Sequence, residues 1–113
     1  MPIFPFQIGY YITAEGKAPF KTWLEGLRDV AGRAKIRVRL DRTRLGGLGD
    51  NRPVGEGVHE MRVDYGPGYR IYFAVEARRL LVLLLGGDKS SQQRDIATAK
   101  KYWRDHQERK KYD

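Results

Sequence analysis

The sequence predicts an α+β domain with three helices and about four strands. Three observations carry this reading. Two runs rich in β-branched and aromatic residues, Val58 to Tyr65 and Tyr69 to Glu76, flank Gly66-Pro67-Gly68, the pattern of an antiparallel hairpin. A continuous apolar run, Leu80 to Leu85, has the length of a buried strand. Helical spacing precedes and follows these strands instead of alternating with them, which separates helices from sheet.

The elements follow in order. Phe4 to Ile12 is rich in aromatic and β-branched residues and reads as a strand. Ala18 to Leu27 places Phe20, Trp23, Leu24 and Leu27 on one helical face. Gly32 marks a junction with a second helix, Arg33 to Leu45, ended by Gly46-Gly47. Gly46 to Gly57 holds five glycines around Pro53 and reads as a loop. A three-residue hairpin loop at Gly66-Pro67-Gly68 would set Asp64 opposite Arg70, Arg62 opposite Tyr72 and Met61 opposite Phe73. One face then carries Met61, Val63, Ile71, Phe73 and Val75. The other carries Glu60, Arg62, Asp64, Arg70, Tyr72 and Ala74. The Leu80 to Leu85 strand is apolar on both sides, so both its faces need cover. Gly86-Gly87 closes it. A last helix starts at Ser90 or Ser91, runs to Trp103 or beyond, and is a candidate for that cover.

The chain has 113 residues, which fits a single domain over 1–113. It has no cysteine, so disulfides and thiolate metal sites are excluded, in keeping with a reducing cytoplasm. Met1-Pro2-Ile3-Phe4-Pro5 lacks the basic-then-apolar pattern of a signal peptide. The longest apolar run is far too short to span a bilayer. The formal net charge of +8 favours polyanions or an acidic partner. On a helical wheel Arg28, Lys35, Arg39 and Arg42 form a solvent stripe, while Arg33, Arg37 and Arg44 must snorkel along the core edge or face a partner.

Familiar catalytic motifs are absent. The two histidines, His59 and His106, belong to no metal motif. Gly86-Gly87-Asp88-Lys89-Ser90 lacks the spacing of a nucleotide loop, though N–H groups at that helix start, with Lys89, could hold one phosphate. The polar hairpin face offers more. Metal-free RNA cleavage needs a base for the 2′-OH, cations for the phosphorane and an acid for the leaving 5′-oxygen. Arg62, Arg70 and Lys89 suit the cationic part, Glu60 the base, and Tyr72 or Lys89 the acid if its pKa is lowered by the surrounding cations. Candidate RNA contacts are Arg33, Arg37, Arg44, Tyr65, Tyr69 and Arg94. Plainer readings stand beside these. The charged strand residues can pair across a solvated sheet. Tyr65 and Tyr69 can pack the hairpin. His59 falls on the core side, Asp95 stabilises a helix start, and Trp23 and Trp103 are core residues.

The stretch Gly55-Glu56-Gly57-Val58-His59-Glu60-Met61-Arg62-Val63-Asp64-Tyr65-Gly66-Pro67-Gly68-Tyr69-Arg70-Ile71-Tyr72 resembles addiction-module killer proteins, the phage-derived, HigB-like branch of the RelE/ParE toxin superfamily. Two more blocks agree. One is Phe20-x-x-Trp23-Leu24-x-x-Leu27 with the basic helix and Leu48-Gly49-Asp50. The other is Leu84 to Ser90 with Gln93, Asp95 and Ile96. The resemblance implies a RelE-like fold: two N-terminal helices packed on a mostly antiparallel sheet of about four strands, plus a C-terminal helix. It implies the toxin of a type II toxin–antitoxin system, with a small helix-turn-helix, HigA-like antitoxin as partner. RelE-like and HigB-like members cleave mRNA on the ribosome without a metal. ParE-like members share the fold and instead inhibit DNA gyrase. Arg62, Arg70 and Lys89 match the basic positions of the nucleases in kind. A terminal His or Tyr that some relatives use as acid has no counterpart here between Ser90 and Asp95.

Overall fold

The computed structural model describes residues 5–111. Phe4, the expected start of the first strand, and Met1 to Ile3 lie outside the described residues. The strands are β1 (Gln7–Tyr10), β2 (Asn51–Gly55), β3 (Val58–Val63), β4 (Tyr69–Glu76) and β5 (Leu80–Asp88). The helices are α1 (Pro19–Glu25), α2 (Val30–Arg44) and α3 (Gln92–Lys110), with a 3-10 turn, Lys89–Ser91, before α3.

This corrects the expected architecture. The sheet has five strands in the order β1-β5-β4-β3-β2, not about four. It is mixed, because β1 runs parallel to β5 while the other neighbours are antiparallel. α1 and α2 lie on one face of this five-stranded sheet and α3 on the other. The extra strand, β2, comes from the segment read as a glycine-rich loop. Pro53 belongs in it because β2 is an edge strand, paired only with β3, where a missing N–H breaks no ladder on the open side. The glycines do their work beside the strand. Gly55, Glu56 and Gly57 all have left-handed φ (107°, 56° and 85°) and make the turn into β3.

On one face, Phe20, Leu24, Ile36 and Leu40 of α1 and α2 pack on Met61, Val63, Ile71, Phe73, Leu81 and Leu83. On the other, Ala99 and Trp103 of α3 pack with Tyr11 on Val58, Tyr72, Ala74, Val82 and Leu84. Each buried Leu, Ile, Phe or Val contributes roughly 1.5–3 kcal/mol of hydrophobic stabilisation before entropy is counted. His59 lies on the α1–α2 side and stacks on Phe73, with ring centroids 5.4 Å apart.

The hairpin pairs Glu60 with Tyr72, Met61 with Ile71, Arg62 with Arg70 and Val63 with Tyr69. The expected three-residue loop is therefore five residues, Asp64 to Gly68, and the register slides by two. A slide of two keeps every side chain on its face, because the sheet repeats every two residues. The longer loop is shaped by left-handed Gly66 and Gly68 and by the Gly68 N–H donating to the Tyr65 carbonyl at 3.1 Å.

β5 does not stop at its glycines. A bulge between its pairings to Tyr72 and Phe73 reverses the alternation, and the strand continues through Gly86 and Gly87 to Asp88. A Cβ on Gly86 would lie 2.1 Å from the Trp23 ring, and one on Gly87 2.0 Å from the Asp95 carboxylate. The glycines admit one intruding side chain from each helical layer. The strand then delivers Lys89 beside Arg70, which pairs with Gly87.

Candidate nucleic-acid interface

The site begins with a buried charge. Glu60 points from β3 beneath the start of α3 and is 0% exposed. Its Oε1 lies 3.0 Å from Arg52 Nε, 3.5 Å from Arg62 Nε and 3.7 Å from Arg70 Nε. Its Oε2 accepts from the Tyr72 hydroxyl at 3.0 Å and from Gln92 Nε2 at 2.9 Å. Burial pushes the carboxyl up, but the hydrogen bonds from Gln92, Arg52 and Tyr72 and the Arg52 charge outweigh it. The group sits below its ordinary range and is ionised.

Glu60 therefore neutralises and aims arginines from three adjacent strands. Arg52 and Arg62 reach outward, with side chains 47% and 42% exposed, while Arg70 is 10% exposed. Arg70 is fixed further by Nη1 donating to the Gly68 carbonyl at 2.8 Å. Arg62, Arg70 and Lys89 meet on a cleft of about 420 Å³, floored by Gly66, Pro67 and Gly68 and rimmed by Asp50 and Asp64. A neighbouring groove of about 500 Å³ joins Lys89 to Gln92, Gln93 and Arg94. These cations, on a frame that does not need to reorganise, suit a phosphate group.

The structure corrects two sequence-based roles. Glu60, expected as base, is sealed from solvent and already surrounded by donors, so it cannot take a proton from a 2′-OH. Tyr72, expected as an acid made stronger by cations, is 0% exposed. Burial and then the Glu60 charge push its hydroxyl up, not down, and the Arg70 charge offsets only part of this. Lys89 remains exposed on the cleft.

The expected RNA contacts divide. Arg94 and Arg37 are exposed. Arg33 donates to the Leu27 carbonyl at 3.1 Å and anchors the end of α1. Arg44 pairs with Asp41. Tyr65 is half-buried under the Lys35 ammonium, 5.3 Å from its ring centroid. Tyr69 is no stacking platform. It is buried, and its hydroxyl donates to Asp29 at 2.7 Å. Burial and that hydrogen bond push its pKa up to about 12. Asp29 also accepts the Gly32 N–H and caps α2, so the helix starts at Val30 and Gly32 is its first turn, not a junction. A Cβ on Gly32 would strike both Asp29 and Tyr69 at 2.6 Å.

Arg39, read as part of a solvent stripe, is a clamp. It donates to the carbonyls of Arg62 at 2.6 Å and of Leu48 and Asp50 at 2.9 Å. It ties α2 to the strand that carries Arg62. Ser91 stands at the N-cap of α3, as expected, but its hydroxyl makes no capping bond, and Asp88 caps the 3-10 turn before it. Asp88 accepts from the Ser90 N–H at 2.8 Å, and the Ser91 hydroxyl donates to Asp95. An Asp88 carboxylate already occupies the helix-start position proposed for a phosphate.

Arg52 and Gln92 escaped sequence reasoning. Arg52 was legible in principle, since β2 and β3 pair it with Glu60 across the Gly55-Glu56-Gly57 turn. Gln92 reaches Glu60 from 32 residues away and left no local signal. Among the described residues, no three His, Cys, Asp or Glu stand together as a metal site, and no helix is long and apolar enough to cross a membrane.

Residues 22–104, which span the cleft and its supporting helices, match the family model described as phage-derived protein, Gp49-like. The chain belongs to the Gp49-like family. An uncharacterised protein of Haemophilus influenzae is 43% identical over 81 residues, 72% of this chain and 82% of the relative. The Gp49-like family is associated with toxin–antitoxin modules, and that association implies an antitoxin partner.

Proposed function

We propose that this Gp49-like protein is a HigB-like toxin of the RelE/ParE kind, an endoribonuclease that cuts mRNA on the ribosome without a metal. The observation that carries the reading is the convergence of Arg62, Arg70 and Lys89 on one cleft, with a buried Glu60 holding the arginines. The proposed reaction has the 2′-oxygen attack the adjacent phosphorus, its proton passing to a water molecule in the solvent-open cleft, while the bond to the 5′-oxygen breaks. This yields a 2′,3′-cyclic phosphate and a free 5′-hydroxyl. Arg62 and Arg70 stabilise the phosphorane charge. Lys89, the exposed ammonium on the cleft, protonates the 5′-oxygen as it leaves. Arg94 and Arg37 contact the flanking backbone. The HigA-like antitoxin and the ribosome are the proposed partners, and the cytoplasm the proposed compartment.

A second reading draws on the sequestration of Glu60 and Tyr72, which leaves the cleft without the expected base. A cleft that only binds fits a ParE-like toxin gripping DNA gyrase.

Mapping mRNA 5′ ends after induction separates the two. The nuclease reading expects new 5′-hydroxyl ends with the wild type and none with Arg70→Ala. Growth arrest undiminished by the double change Arg62→Ala, Arg70→Ala would sink the cleft as the site. A DNA-damage response with intact mRNA would select the gyrase reading.

A further inference from the structure

The cations under α3 stand in the order of the strands that carry them. From β5 the sheet runs through β4 and β3 to β2 at its free edge. Lys89 follows β5, Arg70 lies on β4, Arg62 on β3 and Arg52 on β2. Arg62 pairs directly with Arg70, and Arg52 pairs with Glu60, two residues before Arg62. All three arginines meet Glu60 Oε1, so they share its face of the sheet. Neighbouring strands lie about 4.8 Å apart, so the series is a track across the sheet. Lys89, Arg70 and Arg62 line the cleft, and Arg52 stands one strand beyond it.

Arg52 is not consumed by Glu60. Its Nε donates to Oε1 at 3.0 Å, and the guanidinium makes no hydrogen bond or ion pair with any other described residue. The carboxylate keeps Arg62, Arg70, Tyr72 and Gln92 as further partners. The half-exposed Arg52 fork is therefore free to bind an anion. A second free cation continues the track. A Cβ on Gly55 would lie 3.1 Å from Lys100 Nζ, so this ammonium of α3 rests on the turn between β2 and β3. It pairs with no carboxylate among the described residues, and neighbouring Glu56 is taken by Arg104 at 3.0 Å. Gly55 is three residues past Arg52, about 10 Å along an extended strand.

A guanidinium and an ammonium in line with the cleft fit the next phosphates of a single strand. The arrangement also gives that strand a direction. The leaving 5′-oxygen belongs to the nucleotide on the 3′ side of the cut, and Lys89 is the group that protonates it. The 3′ side therefore lies over Lys89 and the adjoining Arg94 groove, and the 5′ side passes Arg62 towards Arg52. We infer that Arg52 and Lys100 form a subsite for the RNA phosphates on the 5′ side of the cut. The subsite stands on the two free cations, and its polarity rests on the nuclease reading.

Two measurements test it. The first is binding of the full chain to an uncleavable 2′-O-methyl RNA hexanucleotide across a salt series. Each single-strand phosphate contact contributes about 0.7 to the slope of log K against log salt. Arg52→Gln and Lys100→Gln should each lower the slope by about that amount. A 2′-O-methyl dinucleoside monophosphate, which fills only the cleft, should bind both variants as it binds the wild type. Lys100→Gln lies away from Glu60 and reports on the subsite even where Arg52→Gln disturbs the arginine frame. The second is single-turnover cleavage on ribosomes of an mRNA with one methylphosphonate, which removes the charge of one phosphate. On the 5′ side of the cut it should slow the wild type about fivefold, the worth of one exposed ion pair, and slow Arg52→Gln no further. On the 3′ side it should slow both alike.

Unchanged salt slopes in both variants overturn the subsite. Affinity lost equally for the dinucleotide and the hexanucleotide in both variants assigns the two cations to the frame and overturns it as well. A methylphosphonate effect that Arg52→Gln removes on the 3′ side instead of the 5′ side overturns the polarity. Lowered slopes with no mRNA cut by the wild type sink the nuclease reading and leave the subsite supported. A wild type that does not bind the hexanucleotide overturns both.

Discussion

Two carboxylates lie under α3, one at each end of the helix, and they are held differently. Glu60, near the start, is held by arginines from three strands and by Gln92 and Tyr72. Glu76, near the end, is held by His106 at 2.9 Å and by Lys110, both from α3. Around Glu60 three of the partners are permanent cations, and two of them, Arg52 and Arg62, extend past the carboxylate into solvent. Around Glu76 one partner titrates, and both belong to the element being latched. The first arrangement exports positive charge to a cleft, while the second fastens the helix end. A buried carboxylate is thus a site component only when its cations have somewhere further to reach.

The largest expected effect bears on that difference. Arg70→Ala should lower RNA cleavage by about a hundred- to a thousandfold, the worth of one preorganised charge donor in a transition state. Single-turnover cleavage of a defined mRNA on ribosomes measures it. Lys110→Ala should leave the same rate unchanged, and an equal loss in both would erase the distinction between the ends.

Stability sharpens the comparison next. Glu60→Gln leaves three arginines without their counter-charge and should cost about 3–5 kcal/mol in urea unfolding. Glu76→Gln, whose partners can relax towards solvent, should cost about 1 kcal/mol. The Glu60 carboxyl sits below its ordinary range in the folded chain. Its contribution is complete at neutral pH and disappears as pH falls through the ordinary carboxylate range towards the folded value. The wild type should therefore lose stability steeply in acid, and Glu60→Gln should flatten that limb.

A smaller effect separates support from chemistry. Tyr72→Phe removes one buried hydrogen bond to Glu60 and should cost about 1–3 kcal/mol. Cleavage by the folded variant should stay near the wild-type rate, because the hydroxyl is sealed in. A collapse in rate at unchanged stability would return Tyr72 to the reaction.

The smallest effect lies at the far end. Burial, then the Arg109 charge, holds the His106 pKa below the ordinary histidine value, against a smaller upward pull from Asp105. The neutral ring bonds Glu76 through Nε2. Its stabilisation is full above the ordinary histidine pKa and shrinks as pH falls through that value towards the folded one, since the unfolded chain takes up the proton first. Thermal melts between pH 7.5 and pH 5.5 should show a modest decline that His106→Gln abolishes.

Much of this was legible in the sequence, and the gaps have physical causes. The two faces of β3 and β4 follow from alternation alone, so they survived a register wrong by two residues. The need to cover both faces of β5 followed from its unbroken apolar run, and α3 provides the cover. The edge strand β2 was hidden because Pro53 and the glycines carry the composition of a loop, while its pairing with β3 is a tertiary fact. The site was half legible. Arg62, Arg70 and Lys89 share a face and a neighbourhood by register. Glu60 and Tyr72 share that face too, but nothing local reveals that Gln92 and α3 close over them. Residue type and spacing nominated a base and an acid, and burial turned both into scaffolding.

The paired glycines of β5 bear on how tightly Lys89 is placed. With the Trp23 ring against Gly86 and the Asp95 carboxylate against Gly87, the strand end is gripped from both sides with no room for even a methyl group. The grip works as a gauge block. It sets the height of the strand between the two helical layers, and the ammonium two positions on takes its coordinates from that setting. The aim of the cleft is therefore specified by atoms that never touch it, with a tolerance set by the width of a missing side chain.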